Sequence, residues 1–274
     1  MRWSPLVLVV AFFAAADAGA DTSASQALPA PERGRSSSCA PIDVADAALD
    51  PHDAKALFAR LERVADAGCG ASLSEWLEAS RCASSTTNVV AGAAFASEAF
   101  ATRAMNAILA RAVDRAEGGE PACAKQVLPA AQQAARVDEG TRQVLLRAAR
   151  SSDPQLSEAG WLVLGTAESI ARAHDDALAG AIDADLASAL SGATGDARTT
   201  LLEAAGNGGC RSCAASVDAA RADADPWVRR AAITADRFVP ERAHRMCDAL
   251  EDPNATVRDQ ARWAAALVEI DCQR

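Results

Sequence analysis

The residues best suited to carry out chemistry in this sequence are cysteines. Two of them form the motif Cys210-Arg211-Ser212-Cys213. A C-x2-C pair serves as a disulfide bond, as a redox dithiol or as half of a metal site. Downstream, His244 and Cys247 form an H-x2-C pair, so the four residues also fit the spacing of zinc ligands. All three interpretations stay open. A structural disulfide is favoured, because a redox dithiol is expected in a βαβ context that this sequence lacks.

The number of cysteines is even, which allows all of them to pair in an oxidising compartment. The disulfide candidates are Cys39, Cys69, Cys82, Cys123, Cys210, Cys213, Cys247 and Cys272. If helix starts share one edge of the fold, the end of the last helix returns Cys272 to the edge that holds Cys210 and Cys213. This placement predicts a bridge from Cys272 to one of those two.

The N-terminus has the form of a secretory signal peptide over residues 1–20. Arg2 supplies the positive start, residues 6–16 an apolar run, and Ala18-Gly19-Ala20 a small-x-small cleavage site. The run is far shorter than the ~20 residues of a membrane span. We therefore expect cleavage near Ala20 and export to a periplasm or to the extracellular space. Residues 21–40, rich in Ser, Pro and Ala, are predicted to be a flexible linker.

The composition predicts an all-α protein. Half of the residues are hydrophobic, only 4% are aromatic and Tyr is absent, and alanine, the best helix former, is abundant. The net charge of -10 argues against nucleic acid or an anionic membrane as a partner. Residues 41–140 carry helical patterns that do not align as repeats, so we expect a less regular helical region there.

From residue 141 onward a helix-turn-helix phrase recurs four times, which is typical of stacked repeats. The predicted helix pairs span 142–150 and 155–167, 176–190 and 196–205, 211–222 and 227–238, and 241–250 and 255–270. Asp-Pro closes three of the four turns.

The last two repeats share the most residues. They are Asp225-Pro226-Trp227-Val228-Arg229 with Ala232, and Asp252-Pro253 with Val257-Arg258 and Ala261. This pattern resembles the HEAT repeat, in particular its short variant in phycobilisome-lyase-type HEAT proteins. The resemblance implies a right-handed α-solenoid of helical hairpins over residues 141–274. In that family the face lined by second helices commonly engages proteins, and no residue here carries over a lyase activity.

Arginine recurs at one aligned position, as Arg198, Arg229 and Arg258. We expect each arginine to pair with a turn aspartate, which makes Asp225, Arg229, Asp252 and Arg258 the predicted stacking residues. The alternative is an arginine ladder that binds an anionic ligand or an acidic peptide.

Tryptophan also recurs on the second helices, as Trp161, Trp227 and Trp263. One interpretation is that these rings fill gaps that alanine leaves between helices. The other assigns Trp227, Arg230, Arg262 and Trp263 to partner binding, because Trp and Arg dominate interface hot spots.

The sequence contains none of the common catalytic or phosphate-binding motifs. It predicts no catalytic residue, no cofactor and no metal, and the acidic pair Asp183 and Asp185 is expected on a solvated helix face. The favoured function is non-enzymatic binding of a protein or peptide. The alternatives are an exported thiol-disulfide or zinc-dependent protein acting through Cys210 and Cys213, and a structural envelope spacer without a discrete ligand.

Overall fold

The computed structural model describes residues 39, 42–45, 49–82, 84–239 and 241–272. The predicted signal peptide and all of the predicted linker except Cys39 lie outside these residues. The described chain belongs to the compact unit Cys39–Arg274. It holds twelve α-helices and no strand, which confirms the predicted all-α class. None of these helices is long and apolar enough to cross a membrane.

The helices follow one another through short turns. They are α1 Pro51–Val64, α2 Gly70–Ala79, α3 Ser85–Ala96, α4 Thr102–Glu117, α5 Ala122–Ala130, α6 Glu139–Ala149, α7 Pro154–Arg172, α8 Asp176–Gly192, α9 Gly195–Gly208, α10 Ala214–Arg221, α11 Pro226–Asp236 and α12 Ala255–Leu267. A π-helical turn, Ala65–Cys69, joins α1 to α2, and two 3₁₀ helices, Ala131–Gln133 and Ala243–Glu251, complete the set.

Aspartate caps decide where several helices begin. Asp50, Asp153 and Asp225 each accept a backbone N–H of the first turn, and each precedes a proline at the first helical position. The Asp-Pro turns in the sequence therefore predict the starts of α1, α7 and α11. The start of α12 differs, because Asn254 rather than Asp252 caps it.

Helices from residue 139 onward pack on their chain neighbours. α6 packs on α7, α8 on α9, α10 on α11, and the 3₁₀ helix Ala243–Glu251 on α12. These are the four predicted pairs, and we call α7, α9, α11 and α12 the second helices. Each second helix also packs on the next one in chain order. One hydrophobic cluster extends from Leu61 to Ala235, so the earlier helices share a core with the first three pairs. A second cluster, from Ile233 to Ala264, holds the last pair against α11.

Two glycines set the distance between second helices. A Cβ on Gly165 of α7 would overlap the backbone of Ala204 on α9, and a Cβ on Gly206 of α9 would lie 2.6 Å from the carbonyl oxygen of Thr234 on α11. Backbone therefore meets backbone at both contacts. Gly160 of α7 instead faces α6, where a Cβ would overlap the backbone of Ala149.

Four disulfides join all eight cysteines. The pairs are Cys39–Cys69, Cys82–Cys123, Cys210–Cys213 and Cys247–Cys272. The predicted bridge from Cys272 to Cys210 or Cys213 is therefore wrong.

The chain after α12 explains this error. Glu269 adopts a positive φ of 55°, and the Ile270 N–H donates to the carbonyl of Ala265, so the last residues turn back. Cys247 lies in the middle of a 3₁₀ helix rather than near the end of a regular helix. Both features bring Cys272 to Cys247.

Candidate functional sites

Four large hydrophobic side chains of the described residues are exposed, and all four belong to the last two second helices or directly follow one. Trp227 is 56% exposed, Phe238 40%, Trp263 51% and Leu267 44%. Trp227 lies in the first turn of α11, and Phe238 follows that helix. Trp263 and Leu267 are one turn apart on α12, on the same side of the helix.

Arg230 connects the two helices beside these side chains. Its guanidinium lies over the Trp227 ring, 5.4 Å from the ring centroid, and its Nε donates to the Gln260 side chain at 3.1 Å. The Gln260 amide donates back to the Thr234 hydroxyl at 2.8 Å. Because Gln260 and Trp263 are three residues apart on α12, the two tryptophans flank this polar bridge. We use the name aromatic face for Arg230 together with the exposed large apolar residues of α11, of α12 and of the segment after α11, which are residues 227, 238, 263 and 267.

Arg237 lies beneath one edge of the aromatic face. Its guanidinium is 4.8 Å from the Phe238 ring centroid and donates to the Asn207 side chain at 2.5 Å. Burial lowers the pKa of Arg237 to about 10, an effect that the Glu203 carboxylate opposes. The arginine remains charged at neutral pH.

Arg262 and Trp161, two residues that the sequence also indicated, are not part of the aromatic face. Arg262 pairs with Asp259 of its own helix at 2.6 Å, and both side chains are mostly exposed, so the pair contributes little stability. Trp161 is half-buried and packs against the main core.

Arg229 is bound from two sides. Its Nε and Nη2 donate to the Asp252 carboxylate of the next turn at 2.8 and 2.9 Å, and its Nη1 donates to the carbonyl of Asp223 at 2.9 Å. Hydrogen bonds from Arg229 hold the pKa of Asp252 below its usual value. The guanidinium therefore fastens two successive turns together.

The other two arginines of the series make parts of the same arrangement. Arg198 pairs with Asp223 at 2.7 Å, and Arg258 donates to the carbonyl of Asp252 at 2.7 Å. Asp225 has a different role from the predicted pairing, because its carboxylate caps α11 through the N–H of Trp227 at 2.8 Å.

The Cys210–Cys213 disulfide closes the turn between α9 and α10. Gly209 ends α9 with a φ of 70°, and Cys213 directly precedes the first residue of α10. Both cysteines are buried, whereas the two residues between them are exposed.

Asp183 of α8 holds this turn in place. Its carboxylate accepts the backbone N–H of Arg211 at 2.8 Å and that of Ser212 at 3.1 Å, and its own carbonyl lies 3.7 Å from Cys210 Sγ. The expectation of a solvated Asp183 is wrong, because this side chain caps a turn that packs against α8. Asp185 is also half-buried, paired with Arg142 at 2.7 Å.

Glu168 of α7 lies behind the turn and is 0% exposed. One of its oxygens pairs with Arg172, and its side chain also interacts with the Asp183 carboxyl group, a contact that favours the protonated form of Glu168. A Glu168 oxygen, an Asp183 oxygen and Cys210 Sγ lie within 4.8 Å of one another. Burial, followed by the Asp183 carboxylate, raises the pKa of Glu168 to about 8. Glu168 therefore carries a proton at neutral pH.

The zinc spacing seen in the sequence is not assembled as a site. Cys247 is bonded to Cys272, which removes it from the expected set. Within the part of the chain that the structure describes, the one cluster of ligand-type side chains is Glu168, Asp183 and Cys210.

No protein-family model matches the sequence, and no curated protein matches it.

Proposed function

We propose that this chain is an exported, non-enzymatic binding protein that captures a peptide segment of a partner protein on the aromatic face. The observation that carries the proposal is the distribution of exposed large hydrophobic side chains. All four in the described residues belong to α11, to α12 or to the residues that follow α11. Single exposed apolar residues are common, but a group confined to two packed helices is typical of an interaction site.

The architecture that we propose is a HEAT-like, right-handed α-solenoid. The sequential packing of α7, α9, α11 and α12 supports it, as do the close contacts at Gly165 and Gly206. Repeats stacked in this way build an extended surface from their second helices. Such a surface suits the capture of an extended or helical peptide.

Export to an oxidising compartment is part of the proposal. Four disulfides with no free cysteine support it, because such bonds are rare in a reducing cytosol. The predicted signal peptide with cleavage near Ala20 agrees with this destination.

The chemistry of the aromatic face favours a partner segment with large apolar side chains. The Arg230 guanidinium contacts the Trp227 ring before any partner arrives, so the ring loses less side-chain freedom on binding than an uncontacted one would. Tryptophans with adjacent arginines are the residues most often found at interface hot spots. A partner that covers both rings would also cover the Arg230–Gln260 bridge between them.

A peptide library displayed on phage and selected on the full exported chain in oxidising buffer tests this function. We expect enriched peptides with aromatic or long aliphatic side chains. The double variant Trp227→Ala/Trp263→Ala should weaken their binding by about 30-fold, as hot-spot loss of roughly 2 kcal/mol implies. Since both rings are exposed, its thermal unfolding should match that of the wild type.

The matched control is Arg60→Ala/Arg103→Ala, which removes two exposed long side chains from α1 and α4 and should leave peptide binding unchanged. Equal binding by the tryptophan variant would place the site elsewhere on the molecule. A selection that enriches no peptide would favour the structural-spacer alternative.

A further inference from the structure

The Cys210–Cys213 disulfide differs from the other three in what it can contribute to stability. Its cysteines are 3 residues apart, whereas the others are separated by 30, 41 and 25 residues. Disulfide stabilisation through loop closure grows with loop length, so this bond constrains the unfolded chain least. It is also the one with two buried carboxyl groups beside it.

We propose that Cys210–Cys213 is a redox-active disulfide that exchanges with an external dithiol, and that Glu168 gives a proton to Cys210 on reduction and takes it back on oxidation. This activity is separate from peptide capture by the aromatic face. The external reductant is a small dithiol or a protein that presents one.

The direction of attack follows from the surroundings of the two sulfurs. Cys210 Sγ lies beside Glu168 and Asp183, and the Glu168 proton can neutralise a thiolate that forms there next to the Asp183 carboxylate. Cys210 is therefore the leaving sulfur of the first exchange, and the incoming sulfur bonds to Cys213. Cys213 immediately precedes α10, and the N–H groups that open a helix favour the thiolate that Cys213 becomes in the second exchange.

The reaction is a pair of thiol-disulfide exchanges. A thiolate of the external dithiol bonds to Cys213 Sγ, the Cys210–Cys213 bond breaks, and its electron pair leaves on Cys210 Sγ. This thiolate takes the Glu168 proton. The second thiolate of the reductant then attacks its own sulfur in the mixed disulfide and releases Cys213 as a thiolate.

The balance closes with two electrons and two protons. The reductant leaves as a disulfide after giving up two protons to water, and water returns one proton to Cys213 and one to Glu168. Oxidation of the protein runs the same steps in reverse, with Glu168 as the base that takes the Cys210 proton.

Access to the buried sulfurs requires the turn between them to open. Its residues Arg211 and Ser212 are exposed, and the Asp183 carboxylate accepts both of their backbone N–H groups. Asp183 is therefore a positioning residue that holds the turn closed over the disulfide.

Glu168 is suited to this proton transfer because of the groups that face it. Asp183 from α8 and Arg172 from its own helix are the charged groups that act on its pKa, and α9 brings the backbone of Gly208 against it. With a pKa of about 8, Glu168 holds a proton at neutral pH that it can give to a thiolate forming within 4.8 Å of it.

The first test needs only the wild-type protein. The full chain is equilibrated under native conditions with defined ratios of reduced to oxidised dithiothreitol, alkylated, and mapped by mass spectrometry. We expect Cys210–Cys213 to open at a ratio at least about tenfold lower than Cys82–Cys123, with the circular dichroism spectrum unchanged. Opening of both bonds together, or of Cys210–Cys213 only as the helices unfold, would refute the proposal.

The second test examines Glu168 through the rate of Cys210–Cys213 reduction between pH 6 and 9. The ratio of the Glu168→Gln rate to the wild-type rate at each pH cancels the ionisation of the reductant. We expect a ratio of about 0.1 at pH 7 that rises toward 1 above pH 8, where wild-type Glu168 has also lost its proton.

The control Glu158→Gln, an exposed carboxyl on the same helix, should give a ratio of 1 throughout. A Glu168→Gln ratio of 1 at every pH would remove Glu168 from the reaction. Because glutamine resembles the protonated carboxyl in shape, the variant should fold.

Discussion

Glu168 and Asp183 are carboxyl groups buried among apolar side chains. Asp183 follows Ile182 on α8, where Leu178 and Leu186 are buried as well. Its carboxylate accepts backbone N–H groups of a turn that lies 28 and 29 residues further along the chain. Glu168 is 0% exposed, so its charged form is the costlier of the two to bury.

The burial of Glu168 predicts a pH dependence of stability. Its pKa in the folded chain is raised to about 8 from an ordinary 4.5, so between these values the folded protein binds a proton that the unfolded chain lacks. Stability should therefore fall as pH rises from about 5 to 8, by up to about 1.4 kcal/mol per pH unit from this group.

Urea unfolding at pH 5, 6.5 and 8 measures this effect. Glu168→Gln should lose the Glu168 part of the fall, whereas Glu158→Gln should keep it. Identical pH dependence in the wild type and in Glu168→Gln would show that the pKa of Glu168 is the same in the folded and the unfolded chain.

The ion pair between Arg229 and Asp252 leads to a second prediction. The Arg229–Asp252 pair is 16% and 12% exposed at its two side chains, so Arg229→Ala leaves a poorly solvated carboxylate and loses a charge-assisted contact. We expect a loss of about 2 kcal/mol in the free energy of unfolding at pH 7. Since Arg229 lowers the pKa of Asp252, this contribution is present above the ordinary Asp pKa and disappears as pH falls through the lowered one.

The control is Arg262→Ala, whose pair with Asp259 is mostly exposed and should cost less than about 0.5 kcal/mol. Denaturant unfolding of both variants at pH 7 and pH 3 provides the comparison. Equal losses at pH 7 would contradict a stacking role for Arg229.

Helix positions were largely predictable because local chemistry sets them. The Asp-Pro turns predicted the starts of α7 and α11, where the aspartate caps the helix. The segment Ala243–Glu251 was predicted as helix and is a 3₁₀ helix, a distinction that composition does not carry. The disulfide of Cys272 was missed for a related reason, since it depends on the path of the residues after α12.

The contact between α9 and α11 gives a prediction for a single methyl group. Gly206→Ala places a Cβ 2.6 Å from the carbonyl oxygen of Thr234, and backbone atoms on the facing helix must move. We expect a destabilisation of about 3 kcal/mol. Urea unfolding measures it.

Gly180→Ala on α8 is the matched control, because a Cβ there meets nothing within 4 Å. This variant should gain up to about 1 kcal/mol from helix propensity. Similar effects of the two substitutions would mean that α9 and α11 can separate without cost, contrary to a tightly stacked pair.

For the molecule as a whole, composition was sufficient for the all-α class, and periodicity for the four helix pairs. Of the residues that the sequence assigns to partner binding, Trp227 and Trp263 are exposed, and a binding role for them, for Arg230 and for Arg262 stays a prediction. The exposure of Phe238 and Leu267 was not predicted. Each lies at or just after the end of a helix, where the spacing of apolar residues does not distinguish an exposed position from a core position. The shared core from Leu61 to Ala235 also required the structure, since the first helices show no repeat that would tie them to the rest.

The four disulfides lie in two separate parts of the chain, although the helices between those parts pack together. Two bonds lie within residues 39–123 and two within residues 210–272, so no covalent link other than the backbone spans residues 124–209. A protease that cuts once after Arg172, where α7 ends, would leave two cross-linked fragments joined by packing alone. Denaturant without reductant would then separate the two fragments. After the denaturant is removed, the fragments could associate again, because each keeps its own disulfides.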